Sequence, residues 1–466
     1  MADPTPREIL ADLWRQARLD PRPLERLSLT GAEPALPSSF RIGAAAQATV
    51  AAATAAAGEI HRRRTGAAQR AAVEMRHAAL EFHSENWLRL DGQPPRDPWD
   101  SIAGTYRCGD GRILRLHTNF PHHRAGVLRL LACEGTREAV KAALRDWRAF
   151  EFEDAAAAAG LCVAALRGFA EWDAHPQGQA VATLPPLRIE RIGEAPPTPL
   201  PPAGARPLEG VRVLDLTRVI AGPVCGRTLA AHGAEVLHIS AAHLPSIPVL
   251  VADTGRGKRT AQLDLRTEWG RATLRRLAAE ADVFLQGYRP GAIAGHGFAP
   301  ADLAELRPGI VCTSLSAYGE VGPWGGRRGF DSLVQTASGF NHAEAEAAGV
   351  APPKVLPCQA LDHASGTLLA FGTLAALLRR AEEGGSWLVR VSLAGTALWL
   401  RRLGRLADGF AVPAPRFEEI GDLLEEGESG FGRLTSLRHS GRLEATPPFW
   451  ALPAMPLGSH KPAWAG

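Results

Sequence analysis

The hydrophobic pattern changes character near residue 208. Beyond it, short apolar runs alternate with amphipathic stretches: Val211–Leu216 reads as a strand, Gly222-Pro223 opens a helix through Leu229-Ala230, and Glu235–Ile239 reads as a second strand. A helix over Glu268–Ala281, a strand Asp282–Leu285, a short helix near Pro300–Leu306 and a strand Ile310–Leu315 continue the alternation. A long helix follows from Leu361–Gly366 to Arg380, then the strand Trp387–Leu393 and a helix through Leu406. Strand, helix, strand at this spacing predicts parallel strands with helices on both faces. Ligands of such sheets sit at the carboxyl ends of the strands, which points to the segments after Leu216, Leu285 and Leu315.

The first part of the chain has a different grammar. Residues 1–40 are proline-rich with one amphipathic stretch, Glu8–Leu19, and read as an arm. Ile42–Arg64 is alanine-dominated and free of proline, which predicts a helix stopped by a cationic last turn and Gly66. Tyr106, Ile113, Leu114 and Leu116 around Gly109-Asp110-Gly111 predict a hairpin over 105–118, and 137–175 reads as two or three helices. The proline run within 196–207 reads as a linker. The helix and strand before and after Gly66 resemble those around Gly384, a possible internal repeat with an offset of 318 residues that sets Asp362 opposite Ala44.

Composition narrows the classes without choosing one. The 466 residues carry a net charge of +3, with 45% hydrophobic and 22% charged residues, an ordinary globular balance. So small a charge gives no reason to expect nucleic acid or an anionic membrane as partner, and the alanine-rich stretch Ala44–Ala57 does not read as a membrane span. Six scattered cysteines offer no zinc-ligand or C-x-x-C spacing, so no metal site is expected; with no secretory signal visible at the N-terminus, the expectation is a reduced, cytoplasmic protein. His122-His123, after Pro121, reads as a solvated loop.

Leu208–Pro223 resembles the opening of class III CoA-transferases, the CaiB/BaiF family of formyl-CoA and carnitine CoA-transferases and α-methylacyl-CoA racemases. Further matches keep the family's order: Gly233-Ala234-Glu235-Val236, Gly257-Lys258-Arg259, Gln286–Gly291, Ser316-Ala317-Tyr318-Gly319, Gly329-Phe330-Asp331 and Leu361-Asp362. The resemblance implies a Rossmann-like parallel sheet flanked by helices over 208–407, carrying the catalytic aspartate, plus a smaller α+β domain. It reads 41–195 as small-domain material with a degenerate repeat of the catalytic helix, and 408–466 as a closing segment. The chain would then be a permuted or partly duplicated member.

That resemblance implies an acyl-CoA:carboxylate CoA-transferase, with a coenzyme A thioester and a carboxylic acid acceptor as substrates, no tightly bound cofactor and an interlocked homodimer. Asp362 matches the family's nucleophilic aspartate, which forms a mixed anhydride and then an aspartyl-CoA thioester. At a helix start, backbone N–H groups would keep it ionised and could stabilise an oxyanion. Arg218, Val219, Ile220 and Ala221 fall where the family binds CoA, with Lys258, Arg259 and Arg289 for its phosphates and Tyr318 near the thioester. Gly287 stands where the family often has Asn, and Ser316 where some transferases have Lys. Racemases of the family use a histidine where this chain has Phe330, so an acyl-CoA racemase or isomerase lacks its base, and His363 next to Asp362 faces elsewhere on a helix. A non-catalytic CoA-binding scaffold is the alternative from another class. A nicotinamide dehydrogenase is disfavoured, because Thr217–Gly226 has no G-x-G-x-x-G.

Overall fold

A computed structural model describes residues 3–465. Near the N-terminus, strand β1 (Leu27–Thr30) leads into the 24-residue helix α1 (Ile42–Thr65), strand β2 (Ala71–Glu74) and helix α2 (Met75–Glu81). Gly66 ends α1 at φ +78°, a backbone conformation that a side chain would strain. The expected hairpin forms as β3 (Gly104–Arg107) and β4 (Ile113–Leu116).

The large sheet is built from β5 (Arg188–Gly193), β6 (Arg212–Leu216), β7 (Glu235–Ser240), β8 (Lys258–Gln262), β9 (Val283–Gln286), β10 (Val311–Ser316) and β11 (Ser386–Ser392). Its order is β8-β7-β6-β9-β10-β11-β5. All neighbours are parallel except β5, which runs antiparallel to β11. The chain reverses its direction of travel across the sheet between β6 and β9, so a crevice opens at their carboxyl ends. Helix α3 (Ala221–Ala231) follows β6, α4 (Asp331–Ala337) follows β10, α5 (Ala360–Glu383) crosses back to β11, and α6 (Leu393–Arg402) follows it. Strand β5 lies before the proline-rich linker yet completes this sheet, and Gly441–Leu443 near the C-terminus pairs with β2. The linker therefore does not divide the chain into separable halves. Helix α5 is long and apolar enough to cross a membrane, but its most apolar stretch is wholly buried, which makes it a core helix.

Helices α1 and α5 are equal in length, and their starts, Ile42 and Ala360, and their ends, Thr65 and Glu383, are each 318 positions apart. Helices α2 and α6 begin at Met75 and Leu393, again 318 apart. Each long helix joins two parallel strands, β1 to β2 and β10 to β11, and the second strand of each pair has an antiparallel neighbour on its other side. The likeness reaches single hydrogen bonds. Glu33 Oε1 accepts from the N–H of Ala44 at 2.6 Å, and its Oε2 from that of Ala35 at 3.2 Å. At the matching turn of α5, Asp331 Oδ2 accepts from Leu361 and Asp362.

Helix α5 packs against α3 on one side and α1 on another. At Gly366 there is no room for a side chain against α3: an added Cβ would collide with the Ala221 carbonyl oxygen and stand 2.8 Å from Val224 Cβ. Because the obstacle is backbone, Gly366→Ala should lower the thermal unfolding midpoint, by roughly 1–3 kcal/mol of stability. Gly295→Ala, with no atom within 4 Å of its added Cβ, should leave the midpoint unchanged.

Candidate active site

The first turn of α5 lies at the carboxyl end of the large sheet, and Asp362 on that turn is 7% exposed. Its backbone is held by Asp331, the first residue of α4, whose Oδ2 accepts from Leu361 N at 2.7 Å and Asp362 N at 2.9 Å. Gln335, one turn along α4, donates to Asp331 Oδ1, while its own Oε1 accepts from Asn341 Nδ2 at 3.0 Å and Leu356 N at 3.1 Å. This clamp sets the entry of α5.

The same clamp corrects the expectation that helix N–H groups keep Asp362 ionised. Those of Leu361 and Asp362 are taken by Asp331, and no donor among the described residues bonds the Asp362 carboxyl group. Burial, and next the negative charges of Asp331 and Glu85, push the Asp362 pKa well above the usual carboxylate range. Burial likewise raises Asp331, although its hydrogen bonds from Asp362, Gln335 and Leu361 work the other way. Burial also works to raise Glu85, but His363 and His83 bring it down to about 2; its Oε2 lies 3.0 Å from His363 Nε2.

Two cavities meet at Asp362. One, of about 340 Å³, is basic: Arg218, Arg289, Arg327 and Arg328 line it, with His122 and Tyr288. Arg289 and Arg328 make no ion pair among the described residues, so both are free to meet an anion. The other, of about 390 Å³, opens toward the N-terminal part of the chain, which supplies His83, Glu85, Arg96, Trp99 and His117. Asp362, Val219, Ile220 and Phe330 line both. Val219 holds φ at +72°, a strained conformation for a β-branched residue, of the kind that persists where the surroundings enforce it.

The other residues singled out in the sequence divide into two groups. Arg218, Val219, Ile220, Ala221 and Arg289 all face the basic cavity. Lys258 does not: it is buried, with Nζ 2.8 Å from both Asp215 Oδ2 and the Pro223 carbonyl, and its charge is spent there. Arg259 donates to the Ala463 carbonyl at 2.9 Å and lines neither cavity. Tyr318 is buried with its ring 5.0 Å from that of Trp324, also away from both. Arg327, Arg328, Glu85, His117 and Gln359 went unnoticed in the sequence. Only the arginine pair has a local signal, two adjacent cations after Gly325-Gly326 in a strand-end loop. His117 stacks on Phe330 with ring centroids 3.8 Å apart; burial, then neighbouring positive charge, lowers its pKa to about 3.

A doubly wound α/β sheet of the nucleotide-binding type thus carries a buried carboxylate between a cationic cavity and a second one. Residues 208–410 match the profile of CoA-transferase family III. A probable fatty acyl-CoA transferase of Mycobacterium tuberculosis, Rv3272, is 36% identical over 230 residues, 45% of this chain and 58% of that protein. A succinyl-CoA–D-citramalate CoA-transferase of Chloroflexus aurantiacus is 31% identical over 204 residues, 40% of this chain and 49% of that one. A crystal structure of the M. tuberculosis protein aligns at 36% identity and a TM-score of 0.40, covering 42% of this chain and 58% of that one. The chain spans about half the length of curated relatives such as these.

The raised pKa of Asp362 has a consequence for stability. A carboxyl that binds its proton more tightly when folded makes the native state hold more protons than the unfolded chain above the ordinary aspartate value of about 4. Its contribution is full below that pH and is lost as pH rises through the folded pKa. Asp362→Asn should therefore unfold at a higher temperature than the parent at neutral pH. The gap should close as pH falls below about 4; differential scanning calorimetry between pH 4 and 8 measures it, and a variant less stable at pH 8 would contradict the electrostatics.

Proposed function

We propose that the protein is an acyl-CoA:carboxylate CoA-transferase working through a covalent aspartyl intermediate on Asp362. The observation that carries this reading is the position of Asp362 in the walls of both cavities. CoA enters the basic one, with Arg218, Arg289 and Arg328 facing its phosphates and Val219–Ala221 flanking the pantetheine arm. The acyl group, and later the acceptor acid, occupies the cavity walled by the N-terminal part of the chain. The relatives named as CoA-transferases support the reaction type.

In this mechanism the Asp362 carboxylate attacks the thioester carbonyl carbon, the C–S bond breaks with its electron pair leaving on sulfur, and a mixed anhydride and CoA thiolate result. The thiolate attacks the aspartyl carbonyl and expels the donor acid as carboxylate, giving aspartyl-CoA. An incoming carboxylate reverses both steps, and no net proton is exchanged. The nucleophile must be ionised, so substrate binding has to offset the cost of charging Asp362 beside Asp331 and Glu85.

A racemase is the weaker reading. Phe330 occupies the place of the base, and His117, stacked on it, has an imidazole whose pKa of about 3 makes it a poor acceptor for an α-carbon proton at neutral pH. A homodimer, implied by the resemblance, is not required to complete the site, because this chain itself supplies the wall opposite α5.

The test is a CoA-exchange screen of acetyl-, succinyl- and palmitoyl-CoA against free acids, with hydroxylamine trapping and peptide mass spectrometry. The parent should exchange CoA and give a hydroxamate at Asp362, and Asp362→Asn should lose exchange by at least about 10³-fold. kcat/KM should rise with pH to a plateau as Asp362 ionises. A CoA-binding scaffold would bind these thioesters with neither exchange nor trapping.

A further inference from the structure

Each transfer passes through a tetrahedral carbon whose oxygen carries negative charge, and such a charge needs a fixed hydrogen-bond donor. The helix N–H groups of Leu361 and Asp362 cannot serve, since Asp331 holds both. We propose that Gln359 is this donor, an assignment that rests on the CoA-transferase reading and adds a catalytic residue to it.

Gln359 is the N-cap residue of α5, three positions before Asp362, and the two side chains share one face of the helix entrance. Both line the cavity walled by the N-terminal part of the chain. Its Oε1 is enclosed without a hydrogen-bond partner, while its Nε2 is not enclosed and has no partner among the described residues. Neither end is tied, so the amide can turn its N–H₂ toward the oxyanion without breaking a bond. Being neutral, it adds no cation that would hold Asp362 in a resting ion pair. The hydroxyl of Ser332, in the same wall, is fully enclosed and less able to reach a substrate.

As Asp362 Oδ bonds to the thioester carbon, the C=O π pair moves to oxygen and Gln359 Nε2–H donates to that oxygen. When C=O re-forms, the C–S pair leaves as CoA thiolate and the hydrogen bond relaxes, with no proton transferred.

Gln359→Met keeps length and packing but removes the donor; Gln359→Glu removes it and adds a fourth carboxyl group to Asp331, Asp362 and Glu85. With whichever acyl-CoA of the panel the parent turns over fastest, Gln359→Met should lower kcat by about 10²–10³-fold and change KM by less than about threefold. Gln359→Glu should lose as much and also move the acid-side midpoint of the rate profile to higher pH. A purely structural role would move KM and the unfolding midpoint without this split or this shift. A Gln359→Met enzyme with kcat within about threefold of the parent overturns the inference while leaving the transferase reading intact. A parent that neither exchanges CoA nor is trapped by hydroxylamine overturns the transferase reading, and this inference with it.

Discussion

Everything in the site is referred to one carboxylate that does no chemistry. Asp331 receives the N–H groups of Leu361 and Asp362 and is itself gripped by Gln335, which in turn holds Asn341 and Leu356. The clamp fixes where α5 begins and thereby where Asp362 stands relative to β6 and α3. It also takes from Asp362 the donors that would have eased its ionisation and sets a second buried carboxyl beside it. Placement and charge destabilisation come from the same bonds. A carboxylate held in this way is charged only at a cost, and a bound ligand whose dipoles favour the charged state offsets it by differential binding.

The turn around Ala44 separates those roles. Glu33 repeats the capping of Asp331, and α1 repeats the length and strand connections of α5, yet the position of Asp362 holds a methyl group with no exposure. A capping carboxylate where Ala44 stands in the place of Asp362 serves the helix alone, about 1 kcal/mol or more per cap. It follows that the N-terminal part is held in the structure by more than its own site: it packs α1 against α5 and closes the cavity on the far side of Asp362 with His83, Glu85 and Trp99.

How much of this was legible in the sequence depends on how local the cause was. The strands near 211–216, 235–239, 282–285, 310–315 and 387–393, the two long helices and the stop at Gly66 follow from periodicity and capping, which act over a few residues, whereas the strand Lys258–Gln262 gave no such signal. The turn Arg218–Ala221, singled out by the resemblance and by its place after a strand end, faces the basic cavity. Lys258 misled, because its partner Asp215 sits inside a strand that reads as apolar and only the fold brings them to 2.8 Å. Tyr318 misled in the same way, its ring turned into the core against Trp324. Glu85 and His117 carried no signal at all: the walls they form arise from packing between distant segments, and a charge on a short, half-buried stretch reads as a solvated one.

The misjudged charge state of Asp362 is the most instructive difference. A helix start does favour an anion, but only the first anion to reach it, and Asp331 is that anion. Once its N–H groups are spoken for, the next carboxyl on the turn meets low dielectric and a like-charged neighbour, so the same helix end that stabilises Asp331 leaves Asp362 destabilised. In the proposed mechanism, a carboxylate that attacks a thioester and is finally expelled as carboxylate gains from that arrangement. Strong resting hydrogen bonds would have to be broken at each of these steps, whereas an undonated carboxylate beside an untied amide can exchange partners without loss. The geometry of the first turn of α5, with one carboxyl saturated and the other bare, is therefore the feature in which the fold and the proposed chemistry depend on each other.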